Sequence, residues 1–203
     1  MLQRTPEWFA ARCGCVTASR MKDVLATLAD PRKEATTRRN YRRELVLEQF
    51  SNRPQESSYM SFAMQQGLEK EETARNAYAF EKNVEVIEAG FIAHPTIKNA
   101  GASPDGFIGS DGLLELKCPE ANAMYEMLIK SPLDKAYRDQ VMFQLACTHR
   151  KWADVAFYRE GLPLEIVRID RDQVYIDIIE AEVRKFLAEV EAELTLLRKH
   201  QKQ

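Results

Sequence analysis

The stretch SPDGFIGSDGLLELKC, residues 103–118, decides how this chain folds. Gly109-Ser110-Asp111-Gly112 is dense in turn-forming residues and has apolar sequence on both sides. Gly101 to Ile108 and Leu113 to Cys118 therefore read as the two arms of a β-hairpin, and Pro119 limits the second arm. Alternate side chains of a strand share a face, so Glu115 and Lys117 point together while Leu114 and Leu116 enter the core. Asp105, on the first arm, reaches the same cleft. Two carboxylates in one pocket repel each other and call for a compensating cation. Oxygen ligands with open positions suit Mg²⁺ or Mn²⁺. A lysine beside them can orient an attacking water and stabilise charge developing on a phosphate. Glu-x-Lys alone reads better as an ion pair on an exposed strand; Pro-Asp-Gly at hairpin distance reverses that reading.

Upstream, the pattern is helical. Thr5-Pro6-Glu7 starts a short helix to about Cys13 that Gly14 ends. Thr17 or Ser19 offers a cap for a second helix to about Leu28, and Asp30-Pro31 breaks it. Residues 34–51 form a helix with Tyr41, Leu45 and Phe50 inward and the arginines outside. A long helix follows from about Tyr59 to Lys82, in which Met60, Met64, Gly67, Ala74 and Tyr78 alternate spacings of three and four. Glu71 lies on that same stripe, where a carboxylate is costly unless it is paired or binds metal, so it is a candidate third acid. Its alternative is a stripe-edge glutamate paired with a lysine or arginine.

The period shortens at Val84 to Ile92, which suggests one or two short strands. Downstream of the hairpin, a helix from about Asp134 to His149 carries Tyr137, Gln140 and Gln144 on one side, so Gln140 can contact water or phosphate. Trp152–Tyr158 and Leu164–Ile169 read as strands. From Asp172 to the end, Ile176, Ile179, Val183, Phe186, Val190, Leu194 and Leu197 define an amphipathic helix. The expectation is a single α/β (α+β) domain spanning residues 1–203, with a central mixed sheet flanked by helices.

At 45% hydrophobic and 30% charged residues, the chain has the apolar material for a real core. No apolar run is long enough for a membrane span and the N-terminus has no signal-peptide stretch, so a cytoplasmic location without a membrane partner is expected. The four cysteines fit reduced thiols, and three histidines leave little for a zinc site. The net charge of −2 conceals an asymmetry: residues 1–53 hold 11 Lys/Arg against 6 Asp/Glu. Arg32, Lys33, Arg38, Arg39, Arg42, Arg43 and Arg53 are thus either a phosphate-binding face or a solvated helix surface.

These motifs together resemble the phage lambda exonuclease family, the YqaJ-like viral recombinases, within the PD-(D/E)xK nuclease superfamily. Trp8 to Gly14 followed by Val16-Thr17-Ala18-Ser19 resembles its opening motif. Residues 103–106 and 114–119 resemble its central motif, Gly67 through Arg75 the helix carrying its additional acid, and Tyr137 with Gln140-Val141 its later helix. The resemblance implies a restriction-endonuclease-like core and a processive, Mg²⁺-dependent exonuclease. Such an enzyme digests one strand of linear double-stranded DNA from the 5′ end. It releases 5′-mononucleotides and leaves a 3′ overhang for a single-strand annealing partner in recombination, in the bacterial host of a phage or prophage. A toroidal homotrimer is also implied.

By position, the resemblance places Mg²⁺ on Asp105, Glu115 and the Leu116 carbonyl, with Glu71 completing the centre. Lys117 activates or orients the water and Gln140 supports it. Arg12, with Ser19 and the neighbouring Thr17, binds the 5′ phosphate. That role has independent physical sense, since arginine presents a fork for phosphate and the turn after it supplies hydroxyls and backbone N–H groups. The other role open to Arg12 is a surface arginine stacked on Trp8, four residues earlier. Two further readings stay open: a PD-(D/E)xK endonuclease, and a nuclease-fold DNA-binding protein without activity.

Overall fold

A computed structural model gives the structure of the protein over residues 3–30, 32–55, 62–130 and 134–201, with the side chains of 62–69 and of 130 outside the description. Thr5 caps α1 (Pro6–Arg12), its hydroxyl accepting the Trp8 N–H at 3.3 Å, with Pro6 at the start of the helix. Gly14, at φ +70°, turns the chain into β1 (Val16–Thr17). The expected helix from Thr17 or Ser19 to Leu28 does not form. A 3₁₀ turn (Ala18–Arg20) leads into one turn of helix, α2 (Met21–Val24), and no side-chain bond from Thr17 caps it. The Thr17 side chain instead meets Ser19 Oγ at 3.4 Å, and its N–H donates to the Tyr41 hydroxyl at 3.1 Å.

Next come α3 (Thr36–Ser51) and α4 (Phe62–Lys82). The expected start of α4 near Tyr59 and Met60 lies outside the described residues, as do the side chains of Met64 and Gly67. Ala74 and Tyr78, the remainder of that stripe, are buried. Short strands β2 (Val86–Ile87) and β3 (Ile92–Ala93) follow.

The first arm of the hairpin is two strands rather than one. β4 (Ala100–Ala102) and β5 (Gly106–Ile108) are separated by Ser103-Pro104-Asp105, and they join different sheets. Proline cannot donate to a ladder, so pairing breaks there. β4 lies between β1 (parallel) and β3 (antiparallel) in a three-stranded sheet. Gly101 is required at its centre, because a Cβ would lie 2.6 Å from the Ile92 carbonyl oxygen and 2.3 Å from the Phe91 ring.

The five-stranded mixed sheet has the order β2-β5-β6-β7-β8, with β6 (Gly112–Lys117), β7 (Trp152–Phe157) and β8 (Glu165–Asp170). Only β6 and β7 run parallel in it. A parallel pair needs a long crossover. Two helices supply it: α5 (Ala121–Lys130), which the sequence reading left unassigned after Pro119, and α6 (Lys135–Thr148), capped by Asp134. α7 (Gln173–His200), capped by Asp172, closes the chain.

Strand alternation sorts the core onto the two faces of this sheet. Leu114, Leu116 and Ala156 pack with Ala74 and Tyr78 of α4. Leu113, Ala153, Val155 and Phe157 face α6 and α7, meeting Val141, Leu145, Ile176 and Ile179. Each fully buried leucine of this kind contributes about 2–3 kcal/mol. Glu115 and Lys117 share the face of Leu113, so they lie under α6 rather than in solvent. Among the described residues no helix is long and apolar enough to cross a membrane.

The basic segment of α3 divides. Arg38 bonds Glu34 (2.9 Å) and Glu189 (2.6 Å), and Arg42 bonds Glu34 and Glu193 (2.8 Å to the latter), which ties α3 to α7. Guanidiniums bonded into such a network hold helices together, and Arg38 and Arg42 also line a surface cavity with Arg32 and Lys33. Arg32, Lys33 and Arg43 remain exposed.

Candidate active site

Asp105 is built into the hairpin immediately before the first residue of β5. Its N–H donates to the Leu114 carbonyl at 3.0 Å, and its Oδ2 accepts the Leu116 N–H at 2.7 Å. A strand residue's N–H and C=O point to the same edge, so the Leu116 carbonyl also faces the place ahead of where β5 begins. Asp105 is half-buried as a residue, but its carboxyl is enclosed. Burial and the Glu115 charge, with a further contribution from Glu71, push its pKa well above the ordinary carboxylate value, against the Leu116 bond and Lys117. The charged form is therefore short of positive countercharge.

Glu115 is buried, and α6 meets both of its oxygens. Gln140 Nε2 donates to Oε1 and Gln144 Nε2 to Oε2, each at 2.6 Å. Lys117 Nζ donates to Glu115 Oε1 at 2.7 Å and to Gln140 Oε1 at 3.2 Å, and stands 5.2 Å from the Tyr137 ring centre. Burial pulls the Lys117 pKa down, but Glu115 and Asp105 outweigh it and leave the ammonium above its usual value. In this arrangement the Lys117 ammonium donates to Glu115 and Gln140. Gln144, on the same side of α6 as Gln140, received no role from the sequence; it is fully buried, and its Oε1 has no partner among the described residues.

The second part of the site lines the same cavity as the first. This cavity, of about 190 Å³, is lined by Asp105, Glu115, Lys117, Gln140 and Gln144 together with Arg12, Thr17 and Ser19. The Arg12 guanidinium lies 3.9 Å over the Trp8 ring, and the Trp8 indole N–H donates to Ser103 Oγ at 3.0 Å. Arg12 therefore stacks on Trp8 and lines the same cavity as the carboxylates. The expected backbone donors are fewer than anticipated. The Thr17 N–H is engaged by Tyr41, and α2 is too short to act as an anion-binding helix end.

Glu71 is near enough to raise the Asp105 carboxyl, but its own oxygens are bonded to Arg4 Nη2, at 2.8 and 2.7 Å. Among the described residues no group of three or more His, Cys, Asp or Glu is gathered as a metal cluster. The donor set is two carboxylates and a backbone carbonyl on the same strand edge. A hard cation that keeps several waters fits that set, since Mg²⁺ is commonly held by one or two carboxylates plus substrate phosphate. Gln3 and Arg4 also line the cavity. No local pattern marks them, because only the fold brings the N-terminal segment beside the hairpin.

The fold that holds this site is shared by solved exonuclease structures. An alkaline exonuclease from Laribacter hongkongensis, LHK-Exo, is 40% identical, with 98% of each chain covered and a TM-score of 0.88. The structure of LHK-Exo in complex with dAMP is 42% identical over 98% of this chain and 99% of that one, also with a TM-score of 0.88. A phage related exonuclease from Haemophilus somnus 129PT shares the fold at 15% identity, with a TM-score of 0.68 over 90% of this chain and 96% of that one. No curated protein matches closely enough to add to these. The YqaJ-like viral recombinase domain model matches residues 7–151, a span that holds Arg12, Glu71, Asp105, Glu115, Lys117 and Gln140, and the chain belongs to that family.

Proposed function

We propose that the protein is a divalent-cation-dependent exonuclease that digests one strand of linear double-stranded DNA processively from the 5′ end. It releases 5′-mononucleotides and leaves a 3′ single strand for annealing-type recombination. The observation that carries this reading is one cavity shared by Asp105, Glu115 and Lys117 with Arg12, Thr17 and Ser19. A cleavage centre next to a phosphate anchor suits an enzyme that measures from a DNA end. The likeness to an alkaline exonuclease, and to its complex with dAMP, supports the same assignment.

Asp105, Glu115 and the Leu116 carbonyl would hold Mg²⁺, or Mn²⁺ in its place, with Glu71 adjusting the centre, and the ion supplies Lewis-acid charge for phosphodiester hydrolysis. Arg12 and Ser19 hold the terminal 5′ phosphate, with Thr17 beside them. Lys117, as an ammonium, orients the attacking water and stabilises charge developing on the phosphate oxygens. Gln140 and Gln144 keep Glu115 and Lys117 aligned. Water's oxygen adds to phosphorus and the bond to O3′ breaks; the water gives up one proton to solvent and the leaving O3′ takes one up, so the step balances. The remaining strand then begins with a new 5′ phosphate, which Arg12 can engage for the next cycle. The homotrimeric ring, the single-strand annealing partner and action in the cytoplasm of a bacterial host belong to the same proposal and rest on family membership.

The test is a time course on linear duplex labelled at the 5′ or the 3′ end, with and without Mg²⁺, beside closed circular duplex. Early release of the 5′ label as mononucleotide, only with Mg²⁺ and with the circle intact, is expected. Cutting of the circle, or earlier release of the 3′ label, sinks the reading.

A further inference from the structure

Arg4 brings another cation to the cavity wall, and nothing in the cleavage scheme uses it. Its backbone lies in the left-handed region, at φ +65°, which a non-glycine residue holds only where its surroundings impose it. Its neighbours impose it here. Gln3 Nε2 donates to the carbonyls of Ala89 (2.9 Å) and Pro104 (2.8 Å), and Thr5 is fixed as the cap of α1. Held on both sides, Arg4 lines the same cavity as Arg12, Asp105, Glu115 and Lys117.

Its partner there is Glu71. Nη2 donates to both carboxylate oxygens, whereas strong Arg–carboxylate pairs use two nitrogens in parallel. The side chains keep 34% and 27% of their surface exposed. Such a pair contributes little and exchanges readily. A phosphodiester offers a guanidinium the same kind of paired anionic oxygens as a carboxylate does.

We propose that Arg4 is a DNA-phosphate ligand that rests on Glu71 in the DNA-free protein and exchanges it for a backbone phosphate when DNA enters. Arg4 and Arg12 then contact the digested strand from one wall, beside the Asp105–Glu115–Lys117 centre. Arg4 binds only while Gln3 pins its segment to the loop that carries Asp105, so the contact is registered to the cleavage centre. This inference rests on the exonuclease reading above.

The experiment measures binding rather than cleavage. Fluorescence anisotropy of a 5′-phosphorylated duplex is followed in EDTA across a salt series for wild type, Arg4→Gln and Glu71→Gln. Each phosphate contact contributes roughly 0.9 to the slope of log K against log salt. Arg4→Gln should bind about tenfold more weakly with its slope reduced by about one. Glu71→Gln, which removes the resting partner, should bind several-fold more tightly. An unchanged slope in Arg4→Gln overturns the proposal whatever its affinity. Should that variant fail to fold, absence of tightening in Glu71→Gln overturns it. Digestion of linear duplex by the wild type in Mg²⁺ is scored separately; its absence counts against the exonuclease reading and leaves the salt slopes to decide the role of Arg4.

Discussion

Gln144 reaches out of a fully buried position on α6 to donate to Glu115 Oε2 at 2.6 Å. Its bond fixes one carboxylate oxygen while Gln140 and Lys117 fix the other. A carboxylate oriented by its neighbours binds a cation better than a mobile one, and removing such a partner typically lowers metal affinity or activity about 10–100-fold. Gln144→Leu, close in volume, should lower Mg²⁺-dependent digestion by about that factor, with the Mg²⁺ requirement displaced to higher concentration. Rates across an Mg²⁺ titration test this, and an unshifted requirement would show that Gln144 only fills space.

Glu115→Ala should abolish Mg²⁺-dependent digestion, a loss of at least about 10³-fold, because it removes a cation ligand and the anchor of Lys117. DNA binding in EDTA should survive, since the proposed phosphate ligand Arg12 is retained. Unchanged digestion would place the centre elsewhere.

Trp8 supports Arg12 by stacking and is itself tied to Ser103. Arg12→Ala should erase the preference for 5′-phosphorylated over 5′-hydroxyl ends. Trp8→Phe keeps an aromatic face but loses the indole donor, and should weaken that preference only several-fold, on the order of 1 kcal/mol for one hydrogen bond. Rates on matched phosphorylated and hydroxyl ends decide it; equal rates in the wild type would remove the role assigned to Arg12.

Arg42→Ala should lower stability by about 1–2 kcal/mol, since it breaks contacts to Glu34 and Glu193 and leaves half-buried carboxylates short of a partner. Its effect on DNA affinity should be small. A chemical-denaturation midpoint that stays put while DNA binding falls would restore the DNA-contacting reading of this segment.

Burial raises the Tyr41 phenol from 10.0 to about 12, against its Thr17 bonds and Arg20. A pKa raised in the folded state means that the fold favours the neutral phenol. That stabilisation is complete below pH 10 and is lost as pH rises toward 12, an effect of roughly 2–3 kcal/mol. Urea midpoints at pH 9 and pH 11.5 should fall further for wild type than for Tyr41→Phe. Parallel losses would show that Tyr41 does not titrate in this window.

Much of the site was legible because its spacing is local. Glu115 and Lys117 face together by strand alternation, and Gln140 and Gln144 share a helix side four residues apart. Asp105 follows from a hairpin, although the arm that carries it is broken at Pro104. The Glu71 stripe gave its position but not its neighbour. Arg4 could not be found at all, since a residue ahead of the first helix has no periodic partner.

The sequence by itself determined the elements with a strong period, the turn at Gly109–Gly112, the carboxylate–lysine hairpin and the motif that places Arg12. Each depends on contacts within a few residues, where side-chain direction follows from backbone geometry. The tertiary structure alone decided which groups meet across the chain. It put Glu115 under α6 and Arg4 onto Glu71, and it drew Arg38 and Arg42 to the glutamates of α7. Buried charges take whatever partners the packing of distant elements brings within reach, and no local pattern names them in advance.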